Sequence, residues 1–362
     1  MATGAFAVPS MQALCECDLF EVVCLVTGTL RYDKHGTPVV TPARRVADEY
    51  GIPVAEYENV NSNEFFEFLY LVRPELIFVC DFGQILSQRT LSGSRIGGIN
   101  LHGSLLPRFR GAAPVHWAIL TGEPYTGVSI IKMTPHVDSG PVIAQSPPIP
   151  ISPVETVVEL EDRLAEFGAE LVLATVTGIA HGKTTRIIEQ LHSRASSAPR
   201  LTKESGVVPW NLSSLDVFNH YRATVPWPRA FTHWHRENGS ALRLILGDMT
   251  PLDDSLHGLI SEDFSQAVYV APVLVDAKME NLAELKAMPK NTPPVKRHLP
   301  RSQHRPTWWQ PGVVIKAEGN DFIIAAQEGT VRIEQIQPAG KRMMQVREFL
   351  RGYPIKQRDK LG

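Results

Sequence analysis

Cysteines and long apolar runs are both scarce in this sequence. The four cysteines among 362 residues, Cys15, Cys17, Cys24 and Cys80, form no Cys-x-x-Cys pair and have no histidines at zinc spacing. We therefore expect buried, reduced thiols rather than a disulfide framework or a zinc site. No stretch approaches the roughly 18 apolar residues of a membrane-spanning helix, and the first residues lack the features of a secretory signal or an organelle presequence. These absences predict a cytoplasmic protein.

The sequence also lacks an excess of charge of either sign. Its 36 basic and 38 acidic side chains give a formal net charge of -2, so no global field attracts nucleic acid or membrane. The second half is nevertheless basic, because residues 286–317 carry no acidic side chain and residues 341–360 are also mostly basic. Such a half fits a phosphate-backbone partner, although a charge cluster alone fits a solvated face equally well.

Length and composition indicate a two-domain globular protein, at roughly 150 residues per domain. The first half alternates strand-like and helix-like segments, which predicts a doubly wound, Rossmann-like α/β domain with a parallel sheet. The strand-like segments are residues 21–27, 75–80, 99–101 and 126–133, and the helix-like segments are 42–50, 62–72 and 154–178.

A polar, proline-interrupted stretch at residues 191–209 has the composition of a linker. We therefore expect a first domain over 1–190 and a second over 210–362. Short strand-like segments separated by turns predict that the second domain is a small all-β, OB-like barrel. Those segments are residues 241–246, 312–316, 322–326 and 330–335.

Three side chains in the first half have complementary chemistry. Asn100 and His102 are two apart on a predicted strand, so their side chains point to the same side. Asp138 follows another predicted strand and can reach the same sheet edge, where open α/β sheets bind ligands. Together they could polarise a carbonyl, carry a proton and orient the imidazole. Singly, each is more often a structural histidine or a turn residue.

The run from residue 100 to 145 contains an Asn-x-His pair, an SLLP loop, an RGAAP turn and a DSGP segment, in that order. This run resembles the catalytic block of the 10-formyltetrahydrofolate-dependent formyltransferases. Segments at 6–10, 51–54, 225–228 and 337–344 also resemble family members that act on methionyl initiator tRNA. The resemblance implies formyl transfer from 10-formyltetrahydrofolate, without a metal, to the methionyl α-amine of that tRNA.

The resemblance also implies roles for individual residues. Asn100 and His102 would contact the formyl oxygen, with Asp138 beside the histidine. The residues expected to border the folate are Ser104, Leu105, Leu106 and Pro107. An apolar wall around the pterin is expected from Phe82, Gly83, Ile85 and Leu86, although an ordinary loop packing into the core explains these four equally well. The expected tRNA contacts are Arg31, Lys34, Lys341 and Arg342, and a monomer is expected because tRNA would contact both domains.

The sequence departs from the family pattern in three places. The family's first strand would precede Phe6, where only five residues stand, so we expect that a strand is missing and that the start codon is wrongly assigned. The loop at 28–40 is less basic than its family counterpart, and residues 251–305 look like an insertion into the second domain. Two other functions stay open: formyl transfer to a nucleotide-linked amino sugar, and RNA binding without catalysis.

Overall fold

The computed structural model of the chain describes residues 1–183, 187–252 and 308–362. A short 3-10 helix at Ala5–Ala7 precedes the first α-helix. The α-helices are α1 (Val8–Cys15), α2 (Pro42–Glu49), α3 (Asn63–Val72), α4 (Gln88–Leu91), α5 (Pro114–Leu120), α6 (Val157–Ala180), α7 (Ser214–Thr224) and α8 (Val346–Gly352).

The strands fall into two groups along the chain. The first half contains β1 (Leu25–Thr27), β2 (Arg31–Tyr32), β3 (Pro38–Val39), β4 (Val54–Glu56), β5 (Ile77–Cys80), β6 (Gly98–His102), β7 (Tyr125–Thr126), β8 (Ser129–Lys132), β9 (Val142–Gln145) and β10 (Ile149–Pro150). The second half contains β11 (Phe231–His235), β12 (Ala241–Leu246), β13 (Met249–Pro251), β14 (Val314–Glu318), β15 (Asp321–Ala325), β16 (Thr330–Ile333), β17 (Gln335–Pro338), β18 (Met344–Gln345) and β19 (Lys360–Leu361).

The main sheet of the first half is mixed rather than parallel. Its order is β5-β6-β8-β9, and β1 pairs with β4 in a separate two-stranded sheet. The predicted parallel pairing is present between β5 and β6 and between β1 and β4, but β6–β8 and β8–β9 are antiparallel. Only residues 133–141 join β8 to β9, and a parallel connection needs a crossover of a dozen or more residues. The expectation of an all-parallel sheet is therefore wrong at this edge.

The first residues of the chain lie between the two sheets of the first half. The Met1 amino group donates to the Phe78 carbonyl, and the amides of Cys80 and Ala2 donate to the carbonyls of Met1 and Val26. Ala2 thereby forms an isolated parallel bridge to Cys80. Beside this bridge lies a cavity of about 580 Å³ between β1, β5 and the apolar faces of α1, α3 and α6.

The helices of the first half begin where polar residues cap them. Thr41 and Ser62 accept hydrogen bonds from backbone amides at the starts of α2 and α3, close to the predicted boundaries. Helix α6 begins after Thr156, which forms a reciprocal capping box with Glu159. Leu101 of β6 would contact any side chain added at Gly168 of α6, so the long helix packs closely against the strand that carries the candidate site.

The second half contains two antiparallel sheets around a separate core. Their orders are β18-β17-β12-β11-β19 and β13-β16-β15-β14, and β12 spans the predicted residues 241–246. The core includes Leu244, Phe322 and Phe349. Helices α7 and α8 also pack against this core, so the second half combines the expected strands with helices. Nearly all of the predicted insertion at 251–305 lies outside the described residues.

The cysteines are free thiols, as the sequence predicts, but only Cys80 is fully buried. Burial raises the pKa of the Cys80 thiol, which keeps it protonated and unreactive. Over the three described ranges, no helix is both long and apolar enough to cross a bilayer.

Candidate active site

The structure brings Asn100, His102 and Asp138 together at the carboxyl end of β6. The Asn100 amide donates to Asp138 Oδ1 at 3.5 Å, and His102 Nδ1 lies 3.6 Å from Asp138 Oδ2. Strand β6 supplies the first two side chains because residues two apart share a face. The loop that links β8 to β9 supplies Asp138. The three side chains expected from the sequence therefore lie within hydrogen-bonding or near-contact distance of one another.

Hydrogen bonds of its ring define the chemistry of His102. The side chain is buried, and Nε2 lies 2.8 Å from the Phe109 carbonyl oxygen. Because a carbonyl only accepts, Nε2 must carry a proton, which leaves Nδ1 facing the Asp138 carboxylate. Nδ1 can therefore take up a proton and share it with that carboxylate. His102 is suited to accept a proton at Nδ1 rather than at Nε2.

A left-handed backbone and a second amide orient Asp138. Its φ of 46° lies in the region that aspartate tolerates better than most residues. The Gly111 amide donates to Asp138 Oδ2 at 2.9 Å. With the Asn100 amide on Oδ1, both carboxylate oxygens are hydrogen-bonded, so the carboxylate faces the imidazole in one defined orientation.

Hydroxyl and amide side chains fix the loop that follows β6. Ser104 Oγ donates to the Arg108 carbonyl at 2.6 Å, and Ser129 Oγ donates to the Ser104 carbonyl at 2.6 Å. The Gln145 amide donates to the Leu106 carbonyl at 3.1 Å. Of the four residues expected to border a folate, Ser104 and Leu106 are buried, whereas Leu105 and Pro107 are half-buried. The latter two present accessible side chains.

The residues expected to line the pterin pocket differ in burial, from exposed positions at the surface to one in the core. The Ile85 side chain is 61% exposed and Gly83 is exposed, whereas Phe82 is half-buried. Leu86 is 1% exposed and packs within a core cluster with Phe65. The position of Leu86 fits the alternative explanation, in which an ordinary loop packs into the core.

The four residues expected to contact tRNA lie on the surface in two places. Arg31 and Lys34 are exposed in and beside the β2–β3 hairpin. Lys341 and Arg342 are exposed after β17, and Arg342 Nη2 donates to Glu348 Oε1 at 2.6 Å. These positions are accessible to a large partner.

A second group of titratable side chains lies near the same sheet edge. Asp81 directly follows Cys80, whose strand partner is Leu101 beside His102. Burial raises the pKa of Glu161 to about 7, and the charges of Asp81 and Asp162 add to this rise. His116 Nδ1 lies 3.5 Å from Glu161 Oε1, and burial lowers the pKa of His116. This pairing was not predicted from the sequence, because no local motif joins α5 to α6.

Gln190 was also missed, although it lies close to the site. It belongs to no motif and adjoins the predicted linker, yet its side chain contacts the backbone of the Asp138 loop.

No group of histidine, cysteine or acidic side chains that could hold a metal ion occurs in the described parts of the chain. The site chemistry therefore consists of an amide donor, an imidazole and an oriented carboxylate. Such a set can stabilise a developing oxyanion and accept a proton from a nucleophile.

Comparisons with known proteins show which family the chain resembles over its length. The family model for formyl transferase matches residues 4–176, and that for the formyl transferase C-terminal domain matches 200–271 and 284–354. A methionyl-tRNA formyltransferase of Rhodopirellula baltica is 33% identical over 98% of this chain and 93% of its own length. The methionyl-tRNA formyltransferase of Moorella thermoacetica is 32% identical over 100% of this chain and 98% of its own length.

A solved structure shares the fold at low sequence identity. WlaRD, a sugar 3N-formyl transferase with dTDP and 5-N-formyl-THF, has a TM-score of 0.54 and 16% identity, covering 94% of this chain and 97% of that one. At this identity the likeness concerns the fold alone. The curated relatives are more similar in sequence and cover nearly the whole chain. Together with the family models they show that this chain belongs to the formyl transferase family, among the methionyl-tRNA formyltransferases.

Proposed function

We propose that this protein transfers the formyl group of 10-formyltetrahydrofolate to the α-amine of methionyl initiator tRNA, which yields the formylated initiator for translation. The observation that carries the proposal is the assembly of Asn100, His102 and Asp138 at one sheet edge. Relatives that span nearly the whole chain bear the name of this activity.

The side chains present suit a folate-borne formyl group. Leu105 and Pro107 offer accessible apolar surface next to the site, and Asn100 lies on β6 two residues before His102, on the same face of the strand. The folate supplies the formyl carbon. In our proposal, the Asn100 amide donates to the formyl oxygen as negative charge develops there.

Proton transfer falls to His102 and Asp138. The attacking amine must lose a proton, and His102 Nδ1 is the ring nitrogen that can take it up, because Nε2 donates to the Phe109 carbonyl. Asp138, oriented by the Gly111 amide, then stabilises the protonated imidazole. His102 Nδ1 and Asp138 Oδ2, the atoms of the second step, lie 3.6 Å apart.

The proposed partner surface combines the two exposed basic regions. Arg31 and Lys34 would meet tRNA from the first half, and Lys341 and Arg342 from the second. Contacts to phosphate would make tRNA affinity salt-dependent. We further propose a cytoplasmic monomer, since one tRNA would contact both halves.

Formylation assays test this proposal directly. Protein is incubated with 10-formyltetrahydrofolate and methionyl initiator tRNA, with the nucleotide-linked amino sugar dTDP-3-aminofucose as a competing acceptor. We expect formyl-methionyl-tRNA from the native protein, and a loss of about 100-fold to 1,000-fold in kcat for Asn100→Ala or His102→Ala. His181→Ala, at an exposed helix end, is the matched control.

Affinity for tRNA separates catalysis from folding in this test. His102→Ala should bind methionyl-tRNA as tightly as the native protein, because the buried imidazole contributes to chemistry and not to the tRNA surface. Formylation of the amino sugar but not of tRNA would replace the proposal with the sugar activity. Tight tRNA binding without any formylation would point to RNA binding alone.

A further inference from the structure

The side chain of Gln190 is buried and fully hydrogen-bonded between two loops of the candidate site. Gln190 is 6% exposed and lies in the segment that follows α6. Its amide nitrogen donates to the carbonyls of Asp138 and Gly140 at 2.8 and 2.7 Å. Its amide oxygen accepts from Arg110 Nε and Nη2 at 3.0 and 2.6 Å. One side chain thus joins the loop after β6 to the loop after β8.

Both loops that Gln190 joins contribute to the orientation of Asp138. The first contains Arg110 and Gly111, and the Gly111 amide donates to Asp138 Oδ2. The second contains Asp138 itself, in its left-handed backbone conformation, and Gly140, where an added Cβ would lie 1.8 Å from the Lys132 carbonyl oxygen. The Gln190 amide therefore contacts the backbone of the Asp138 loop directly and contacts the Gly111 loop through the Arg110 side chain.

Few other side chains could make these contacts. The site offers two carbonyl oxygens on one side and a guanidinium on the other, so it needs a donor pair and an acceptor on one planar group. Glutamate would bring a carboxylate oxygen against the two carbonyls, and leucine would leave both carbonyls and the guanidinium without their partner. A carboxamide of glutamine length meets the need.

We propose that Gln190 is a positioning residue for Asp138, which it holds in register with His102 through Arg110 and the loop backbone. This inference rests on the proposed formyl transfer for its kinetic consequences but not for its structural ones. Gln190 does not touch the reacting atoms, so its removal should lower the rate without weakening the binding of either substrate. Misplacement of a catalytic group by about 1 Å can cost about 100-fold in rate.

The kinetic test uses Gln190→Leu and Gln190→Glu, with Gln88→Leu, at the exposed start of α4, as the control. We expect kcat for formylation to fall about 10-fold to 100-fold in both Gln190 variants. The KM values for 10-formyltetrahydrofolate and methionyl-tRNA should stay within about twofold of native, and the control should match the native protein. Unchanged kcat in both variants would overturn the inference, as would a loss confined to KM.

A double-mutant cycle separates positioning from general stability. If Gln190 acts through Asp138, Gln190→Leu should cost almost nothing further in an Asp138→Ala background. A purely structural role would lower the rate by the same factor in both backgrounds, and that result would contradict the proposal.

Hydrogen exchange provides a test that needs no substrate. The Gly111 amide donates to Asp138 in the native protein, so its exchange should quicken at least about tenfold in Gln190→Leu and not in Gln88→Leu. Unchanged protection of Gly111 would count against the inference even if the native protein formylated a different acceptor. A native protein without formylation, but with this loss of protection, would refute the proposed function alone.

Discussion

Two histidine–carboxylate pairs of similar length lie near the carboxyl end of β6, and their surroundings give them different properties. His102 and Asp138 are 3.6 Å apart, and His116 and Glu161 are 3.5 Å apart. Asp138 receives amide hydrogen bonds on both oxygens, and these bonds hold it in one orientation toward the imidazole. Glu161 is instead desolvated among acidic neighbours, and this environment disfavours its charge. Only the first pair is prepared to stabilise an imidazolium.

Neutralising Glu161 should remove a pH-dependent loss of stability. Its pKa is raised to about 7 in the folded protein from an ordinary 4.5, so the carboxyl group favours folding below pH 4.5 and loses that contribution as the pH rises to 7. Glu161→Gln should therefore raise the free energy of unfolding at pH 8 by about 1 kcal/mol, a figure reduced because the side chain is 38% exposed. At pH 4.5 the variant should match the native protein.

Denaturant titrations at both pH values measure this difference. Glu166→Gln, an exposed change on the same helix, is the control and should shift neither value. Equal unfolding free energies of native protein and Glu161→Gln at pH 8 would show that the Glu161 charge is not disfavoured by folding.

At the scale of elements, the β1–β4 sheet is separate from the main sheet of the first half, with a gap between β1 and β5. Met1 and Ala2 form backbone hydrogen bonds with Phe78 and Cys80 of β5 and with Val26 of β1. Beyond this bridge the facing edges of β1 and β5 border an apolar cavity of about 580 Å³. A gap of this shape, open between two strand edges that run in one direction, fits an additional parallel strand.

Fusing a five-residue strand of valine and isoleucine ahead of Met1 should therefore stabilise the protein. The added residues would pair with both edges and fill the cavity with apolar side chains. Full burial of one such side chain contributes about 1.5–3 kcal/mol, so we expect at least about 2 kcal/mol in the free energy of unfolding. A Gly-Ser segment of equal length is the control. Equal stability of the two fusions would show that the cavity does not accept a strand.

Local patterns predicted the elements whose signals lie within their own sequence. Helices α2 and α3 have capping residues and apolar periodicity, and β12 has alternating side chains, so their bounds lie close to the predicted ones. Helix α7 was missed because buried polar residues interrupt its apolar stripe. Those residues are Asn219, His220, Arg222 and Thr224. Arg222, for example, donates to carbonyls 70 and 67 residues away, and no local pattern reveals such partners.

In the candidate site, too, the residues with a local sequence signal were predicted and the residue without one was missed. Asn100 and His102 lie two apart on a strand, and a strand precedes Asp138, so local reasoning brought all three to one edge. Gln190 bonds to Arg110 and Asp138, which are 80 and 52 residues away. Contacts at such separations depend on how α6 returns the chain to the sheet. Sequence periodicity carries no signal of that return.

At the scale of the whole molecule, a buried arginine joins the two halves. Arg222 of α7 is 3% exposed, and its Nη1 donates to the carbonyls of Ser152 and Glu155 at 3.2 and 2.9 Å, just before α6 begins. Its Nε donates to Asn219 Oδ1 at 3.0 Å. Burial lowers the pKa of Arg222 to about 10, partly opposed by the charge of Glu155, so the guanidinium stays charged at neutral pH.

Arg222→Met should loosen this junction while leaving the chemistry intact. The change keeps much of the side-chain volume but leaves two partly buried carbonyls without their donor, which costs about 1–3 kcal/mol in the free energy of unfolding. If tRNA spans both halves, a looser junction raises KM for methionyl-tRNA. KM for the folate should stay unchanged, because Asn100, His102 and Asp138 all lie in the first half. Steady-state kinetics with each substrate varied in turn, and a thermal melt, give the two readouts.

Substitution of an exposed arginine, Arg95, is the control for the Arg222→Met prediction. Arg95→Met removes a surface ion pair with Glu75, in which both side chains are about 70% exposed, and such pairs contribute about 0–1 kcal/mol. It should leave both KM values and the melting temperature nearly unchanged. If Arg222→Met lowered stability but left KM for tRNA at the native value, the junction would serve folding alone. The acceptor would then have to be recognised within one half, and the exposed basic side chains of the other half would have no part in binding it.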